Sequence, residues 1–196
     1  MKVKETAPAY LKQRQAFTYQ DYLDMPDDGK RYQVIDGDLI MTPAPTTAHQ
    51  FVSGNLAMEL RQYVKKNNLG FVLCAPTDVV LDDTNVFQPD ILFISNERKS
   101  IIKHENIQGA PDLIIEILSP ATGYYNLVAK KEIYEQHNVI EYWLVDPKTQ
   151  RIEVFVNKNG KFEMSLRIEK EGTVKSPLLI GFKAPCEEIF SVETGK

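Results

Sequence analysis

At 196 residues, with 43% apolar and 26% charged side chains, the chain has the size and composition of one folded domain with a full core. Its formal net charge of −4 argues against a basic stripe built for tight, nonspecific nucleic-acid binding. Two cysteines, Cys74 and Cys186, exclude a disulfide framework or a zinc pattern and suit a reduced, cytoplasmic setting. No apolar run reaches the length of a membrane span, and the opening MKVKETAPAYLKQRQ lacks the apolar centre of a signal peptide.

Residues 1–16 are polar, without a sustained period, and read as an N-terminal arm before a single domain over 17–196. Thr18 is placed to cap a short helix over 19–23, with Phe17 as a hydrophobic staple and Pro26-Asp27-Asp28-Gly29 ending it. Apolar runs on either side of Asp36-Gly37 predict a tight β-hairpin over 32–41. Asp36 is therefore a turn residue before it is a site candidate. Gln33 lies in the first strand of that hairpin; it is either a polar surface residue or one that faces a site.

Pro43 and Pro45 break the strand, and a long amphipathic helix is predicted over 47–67. His49, Val52, Leu56 and Leu60 share one stripe, with His49 in the first turn. The plainer reading of His49 is a half-buried imidazole bonded to nearby backbone. Asn67-Asn68-Leu69-Gly70 stops the helix. Strands follow over 71–74 and 79–81, and Asp82 to Asn85 is a solvated turn without the glycine and distal glutamate of a calcium loop. After a strand headed by Pro89-Asp90, the mixed segment 96–109 is expected to hold a helical turn and to cover the site, with His104 on the surface.

The run Leu113 to Leu118 is apolar on both faces and predicts a covered strand, yet it contains Glu116. A carboxylate there is costly unless paired, hydrogen-bonded or bound to a metal. Alternation puts Glu116 on one face with Asp112, Ile114 and Leu118. Asp90 follows a proline suited to a first strand position. If the two strands pair, both carboxylates converge at one end of the sheet, in the manner of a Mg²⁺ site that keeps much of its hydration shell. The competing reading of Glu116 is a buried ion pair with an arginine or lysine. Thr122 caps the next predicted helix, to about Asn138, and Leu127, Lys130 or Lys131, and Tyr134 fall on its sheet-facing side. Beyond it come a buried strand over 139–145 with the single tryptophan, Trp143, a hairpin over 151–168 around Asn157-Lys158-Asn159-Gly160, and an apolar tail.

Pro89-Asp90, Glu116 in IIEILSP and a following helical lysine resemble the PD-(D/E)XK nuclease arrangement with the lysine moved from strand to helix. RYQVIDGDLI, AHQ, FQPDILFIS, APDLIIEILSPAT, AKKEIY and VIEYWLVDP, in that order over roughly 17–190, resemble the Uma-two family of restriction-endonuclease-like proteins. The resemblance implies an α/β (α+β) fold: a central mixed β-sheet flanked by helices, with extra β-hairpins. It implies a metal-dependent endonuclease acting on DNA, with Asp90, Glu116 and the Ile117 carbonyl as ligands for Mg²⁺ or Mn²⁺. Lys130 takes the role of catalytic lysine, Gln33 and His49 support it, and the chain is expected to be a homodimer. Two positions depart from the family pattern: Gln33 replaces a usual glutamate, and Asn126 replaces an aspartate before the helical lysine. They favour the alternative of a nuclease fold retained as a nucleic-acid-binding or assembly module.

Overall fold

The computed structural model describes residues 16–119 and 124–192. Thr18 closes a capping box with Asp21 at the start of helix α1 (Tyr19–Leu23). Strands β1 (Arg31–Ile35) and β2 (Asp38–Thr42) pair antiparallel. The turn between them holds Asp36 at φ 51° and Gly37 at φ 73°, the left-handed pair that a tight primed turn needs. Thr46 caps α2 (Thr47–Lys66), which buries Val52, Leu56, Leu60 and Val64 along one stripe.

Gly54 lies on the exposed side of α2, with nothing within 4 Å of the place a Cβ would take. Gly54→Ala is expected to raise the unfolding free energy by about 1 kcal/mol, because alanine loses less backbone freedom in a helix. Urea unfolding should show a higher midpoint at unchanged slope. An equal or lower midpoint would mean that the glycine is needed there.

The remaining elements are β3 (Gly70–Cys74), β4 (Val79–Asp82), β5 (Asn85–Phe87), β6 (Ile91–Ser95), β7 (Ile107–Gln108), β8 (Leu113–Ile117), α3 (Tyr124–Gln136), β9 (Glu141–Asp146), β10 (Arg151–Lys158), β11 (Lys161–Glu169), β12 (Thr173–Lys175), β13 (Lys183–Pro185) and α4 (Cys186–Ile189). A six-stranded sheet in the order β11-β10-β9-β8-β6-β3 forms the centre. It is mixed, because β8 and β9 run parallel while β6 and β8 run antiparallel. Parallel neighbours need a crossover connection, and α3 supplies it.

Alternation along β8 sorts its side chains between two cores. Leu113, Ile115 and Ile117 pack with the α2 stripe, Trp143, and the β13 and α4 residues Ala184, Cys186 and Ile189. Ile114 packs on the other face against Ile133 and Tyr134 of α3, with Tyr142 and Phe155. Glu116 is in register with Ile114 and so lies beneath α3. A second sheet, β2-β1-β5-β4-β7, is built against this same face of the central sheet, where Val79 and Ile107 meet Leu92 and Ile94 of β6.

The α/β arrangement read from the sequence is the one observed, with the second sheet and the β12-β13 ribbon as additions. The 96–109 segment holds the expected helical turn, but not over the site. It forms a 3₁₀ turn (Asn96–Ile101) following Ser95, which pairs with Gly70; Asp90 lies at the opposite end of β6, beyond the Ile91–Cys74 pair. The turn therefore does not cover the carboxylates. The expected Thr122 cap and most of the N-terminal arm lie outside the described residues. Among the described residues, no helix is long and apolar enough to cross a membrane.

Candidate metal and phosphate site

The β6–β8 ladder pairs Ile91 with Ile115. One step outward, Asp90 and Glu116 come opposite each other at the end of the two strands. The Asp90 carboxylate is fixed by the chain it faces, since its Oδ2 accepts the Ile117 N–H at 2.7 Å.

Glu116 is only 4% exposed, and so is Lys130. The Lys130 ammonium donates to both Glu116 oxygens, at 2.9 and 3.1 Å, and the Tyr134 hydroxyl donates to Oε1 at 2.7 Å. Of the two candidate lysines, Lys130 is the one at Glu116; the Lys131 ammonium instead stands 3.4 Å over the Phe155 ring. Burial and the neighbouring Asp90 charge push the Glu116 carboxyl up, while Lys130 and Tyr134 act the other way. Three donated hydrogen bonds are the geometry of an ionised carboxylate. The ion pair anticipated as the plain reading of Glu116 and the lysine of the nuclease reading are thus one contact. Burial also pushes the Tyr134 phenol well above its ordinary range, reinforced by Glu116, so it stays a donor.

His49 reaches the same place from α2, on the other side of the sheet. Its Nε2 is 3.2 Å from Asp90 Oδ2, and its Nδ1 is buried without a partner. Burial alone would depress the imidazole, but the Asp90 carboxylate, the Glu116 charge and the Ile117 carbonyl outweigh it and raise its pKa. Gln33 is buried, and its amide is already engaged: Nε2 donates to Thr42 Oγ1 at 2.8 Å and Oε1 accepts the Gln88 N–H at 3.1 Å. It is not the surface residue of the plainer reading. Arg31, Gln33, His49, Asp90, Glu116 and Lys130 border one small cleft of about 80 Å³.

The donor set suits a hard divalent cation. Asp90, Glu116 and the Ile117 carbonyl offer oxygens at one strand end. Among the described residues, no cluster of three or more His, Cys, Asp or Glu side chains forms a cage. Two carboxylates and a carbonyl leave room for the water that Mg²⁺ retains. The Tyr134 hydroxyl was not anticipated as a partner of Glu116. The signal was present, because Tyr134 stands four residues after Lys130 on the same helical face. Asn126 lies within α3, but its side chain is outside the described set.

Comparison with known proteins agrees with the fold. The Uma2 family model, described as "Putative restriction endonuclease", matches residues 19–187. A crystal structure described as "a putative nuclease belonging to DUF820", from Anabaena variabilis ATCC 29413, is similar with a TM-score of 0.75 at 20% identity; the match covers 89% of this chain and 97% of that one. At that identity the likeness establishes a shared fold. No curated protein matches the sequence.

Proposed function

Because this chain belongs to the Uma2 family, we propose that it is a metal-dependent nuclease that hydrolyses DNA phosphodiester bonds. The observation that carries the reading is the convergence of Asp90, Glu116 and Lys130 on one cleft, with the ammonium on both Glu116 oxygens. Asp90, Glu116 and the Ile117 carbonyl would hold Mg²⁺, or Mn²⁺ in its place. When bound, the ion supplies Lewis-acid polarisation of the phosphoryl group.

The remaining work falls to the chain's own side chains. Lys130, held at Glu116, places a positive charge where negative charge develops on the phosphoryl oxygens. It also orients the attacking water through its remaining donor. Tyr134 keeps Glu116 in position while Lys130 engages substrate. His49 orients Asp90 through Nε2. Gln33 braces the cleft wall through Thr42 and Gln88, and has no charge with which to neutralise a cation. Two free thiols, Cys74 and Cys186, suit a reduced cytoplasm, and the family resemblance favours a homodimer.

Plasmid incubated with the protein and Mg²⁺ or Mn²⁺ should be nicked or linearised, and Asp90→Asn should slow this by about a hundredfold through loss of ion binding. Titration calorimetry with Mn²⁺ should show uptake by wild type and none by the variant. No cleavage by wild type with either ion, or equal cleavage by the variant, would refute the reading. A second reading, a nuclease fold kept for binding alone, draws on Gln33 standing at the cleft as a neutral, fully engaged amide. DNA binding without metal uptake would select it.

A further inference from the structure

Resting on the nuclease reading, we propose that a trough along α2 seats the sugar-phosphate backbone of duplex DNA and leads it to Asp90 and Glu116. The small cleft at those carboxylates adjoins a second of about 440 Å³, and the two share Gln50, Ser53 and Ala75. The second cleft continues along α2 past Gly54 to Arg61 and Gln62. From His49 to Arg61 the helix advances just over three turns, about 18 Å. That length is enough to meet a short run of phosphates of one strand.

Charge favours this path over the other available one. The α2 cleft is bordered by Arg61 and by no carboxylate, and Arg31 stands beside the site. Among the described residues, neither guanidinium is in an ion pair; Arg61 meets only the Cys74 sulfur, at 3.4 Å. At the head of the trough, His49 has a side chain only 9% exposed and a ring nitrogen without a partner. The larger cleft on the far side of α3, about 750 Å³, is bordered by Glu132, Glu135 and Glu153 and by as many cations, Lys131, Arg151 and Lys161. Its Lys161 and Arg151 are already turned to Glu135 and Glu153. A polyanion would meet an uncompensated arginine in the first cleft and a wall whose charges cancel in the second.

The form of the nucleic acid follows from what the trough lacks. Single-strand binders stack bases on aromatic side chains, and the α2 cleft has none. It offers arginine, glutamine and serine, the groups that contact phosphate and sugar on a duplex. This also fits the net charge of −4: the neutralising surface is small, Arg61 on α2 and Arg31 on β1.

The test uses a fluorescein-labelled duplex oligonucleotide and its single strand, with binding read by anisotropy in CaCl₂. Gly54→Glu sets a carboxylate in the trough at a position with open space around it. It should weaken duplex binding about tenfold with a melting temperature no lower than that of wild type. Arg61→Ala should weaken it about threefold and reduce the slope of log K against log salt by about 0.9. Val128→Glu, which sets the same charge at the border of the other cleft, should leave binding unchanged, and the single strand should bind more weakly than the duplex. Equal binding by Gly54→Glu and wild type, an equal loss in Val128→Glu, or tighter binding of the single strand would overturn the proposal. If wild type cleaves plasmid while Gly54→Glu binds and cleaves as wild type does, the trough is wrong and the nuclease reading stands. If wild type neither binds nor cleaves, both fall.

Discussion

Lys130→Met is expected to lower the unfolding free energy by about 3–5 kcal/mol at pH 8 and to abolish cleavage. The stability loss arises because Glu116 would keep its burial and lose the charge that compensates it. One hydrogen bond, from Tyr134, would remain, which is not enough to hold a bare carboxylate in the interior. The sign with pH follows. Burial already pushes the Glu116 carboxyl up, and Lys130 opposes that. In the variant the native carboxyl binds its proton more tightly than the unfolded one, so the deficit is smallest below the unfolded pKa and grows as pH rises towards the native one. Urea midpoints at pH 5 and pH 8 measure this. A second variant separates stability from chemistry: Glu116→Leu with Lys130→Met removes both charges and should recover all but about 1–2 kcal/mol, the remainder reflecting a Tyr134 hydroxyl without an acceptor. That double variant should stay inactive although folded. Equal midpoints for wild type and Lys130→Met at pH 8 would show that the pair does not compensate Glu116 in the folded protein.

Gly70→Ala should cost about 3–5 kcal/mol, an effect far out of proportion to the added methyl group. Gly70 opens β3 with φ at +156°, a region that L side chains rarely adopt. A Cβ there would stand 2.1 Å from the Ile94 carbonyl oxygen and 2.9 Å from the Ser95 Cα. Both obstacles are backbone of the neighbouring strand, so no side chain can rotate aside. The β3–β6 ladder must shift, and β6 is the strand that Asp90 leads into. Circular dichroism melts and urea unfolding should show the loss, and residual activity should fall with the folded fraction. A melting temperature within a degree or two of wild type would show that the ladder can move freely at its end.

Gly70 also illustrates what a sequence can and cannot disclose. As part of Asn67-Asn68-Leu69-Gly70 it reads as a helix stop. The left-handed residue after the α2 cap is in fact Asn68, at φ 51°, and the glycine serves a close approach between strands. The hairpin at Asp36-Gly37, the α2 stripe and the β8 run were legible because local turn chemistry and periodicity specify them. The short strands β5, β7 and β12 were not, since two or three residues become a strand only through partners far along the chain. At the site, Glu116 stood out by its cost, because a charged group in an apolar frame demands compensation; spacing left Lys130 and Lys131 open, and the family resemblance chose between them. The 96–109 segment was misplaced although chain direction alone puts Asn96 and Asp90 at opposite ends of β6. Gln33 was visible as a residue but not in its bonding, which needed both Thr42 and the Gln88 amide to come alongside.

The parallel pairing of β8 with β9 has one more consequence. Their connection must climb over the sheet to return in the same direction, so α3 arrives with Lys130 and Tyr134 in the same step that joins the strands. Ammonium, phenol and carboxylate are therefore assembled by topology, not by a loop that opens and shuts. The proposed site therefore comes into being only once β9 has paired with β8, and a chain that has not yet formed that pair lacks it.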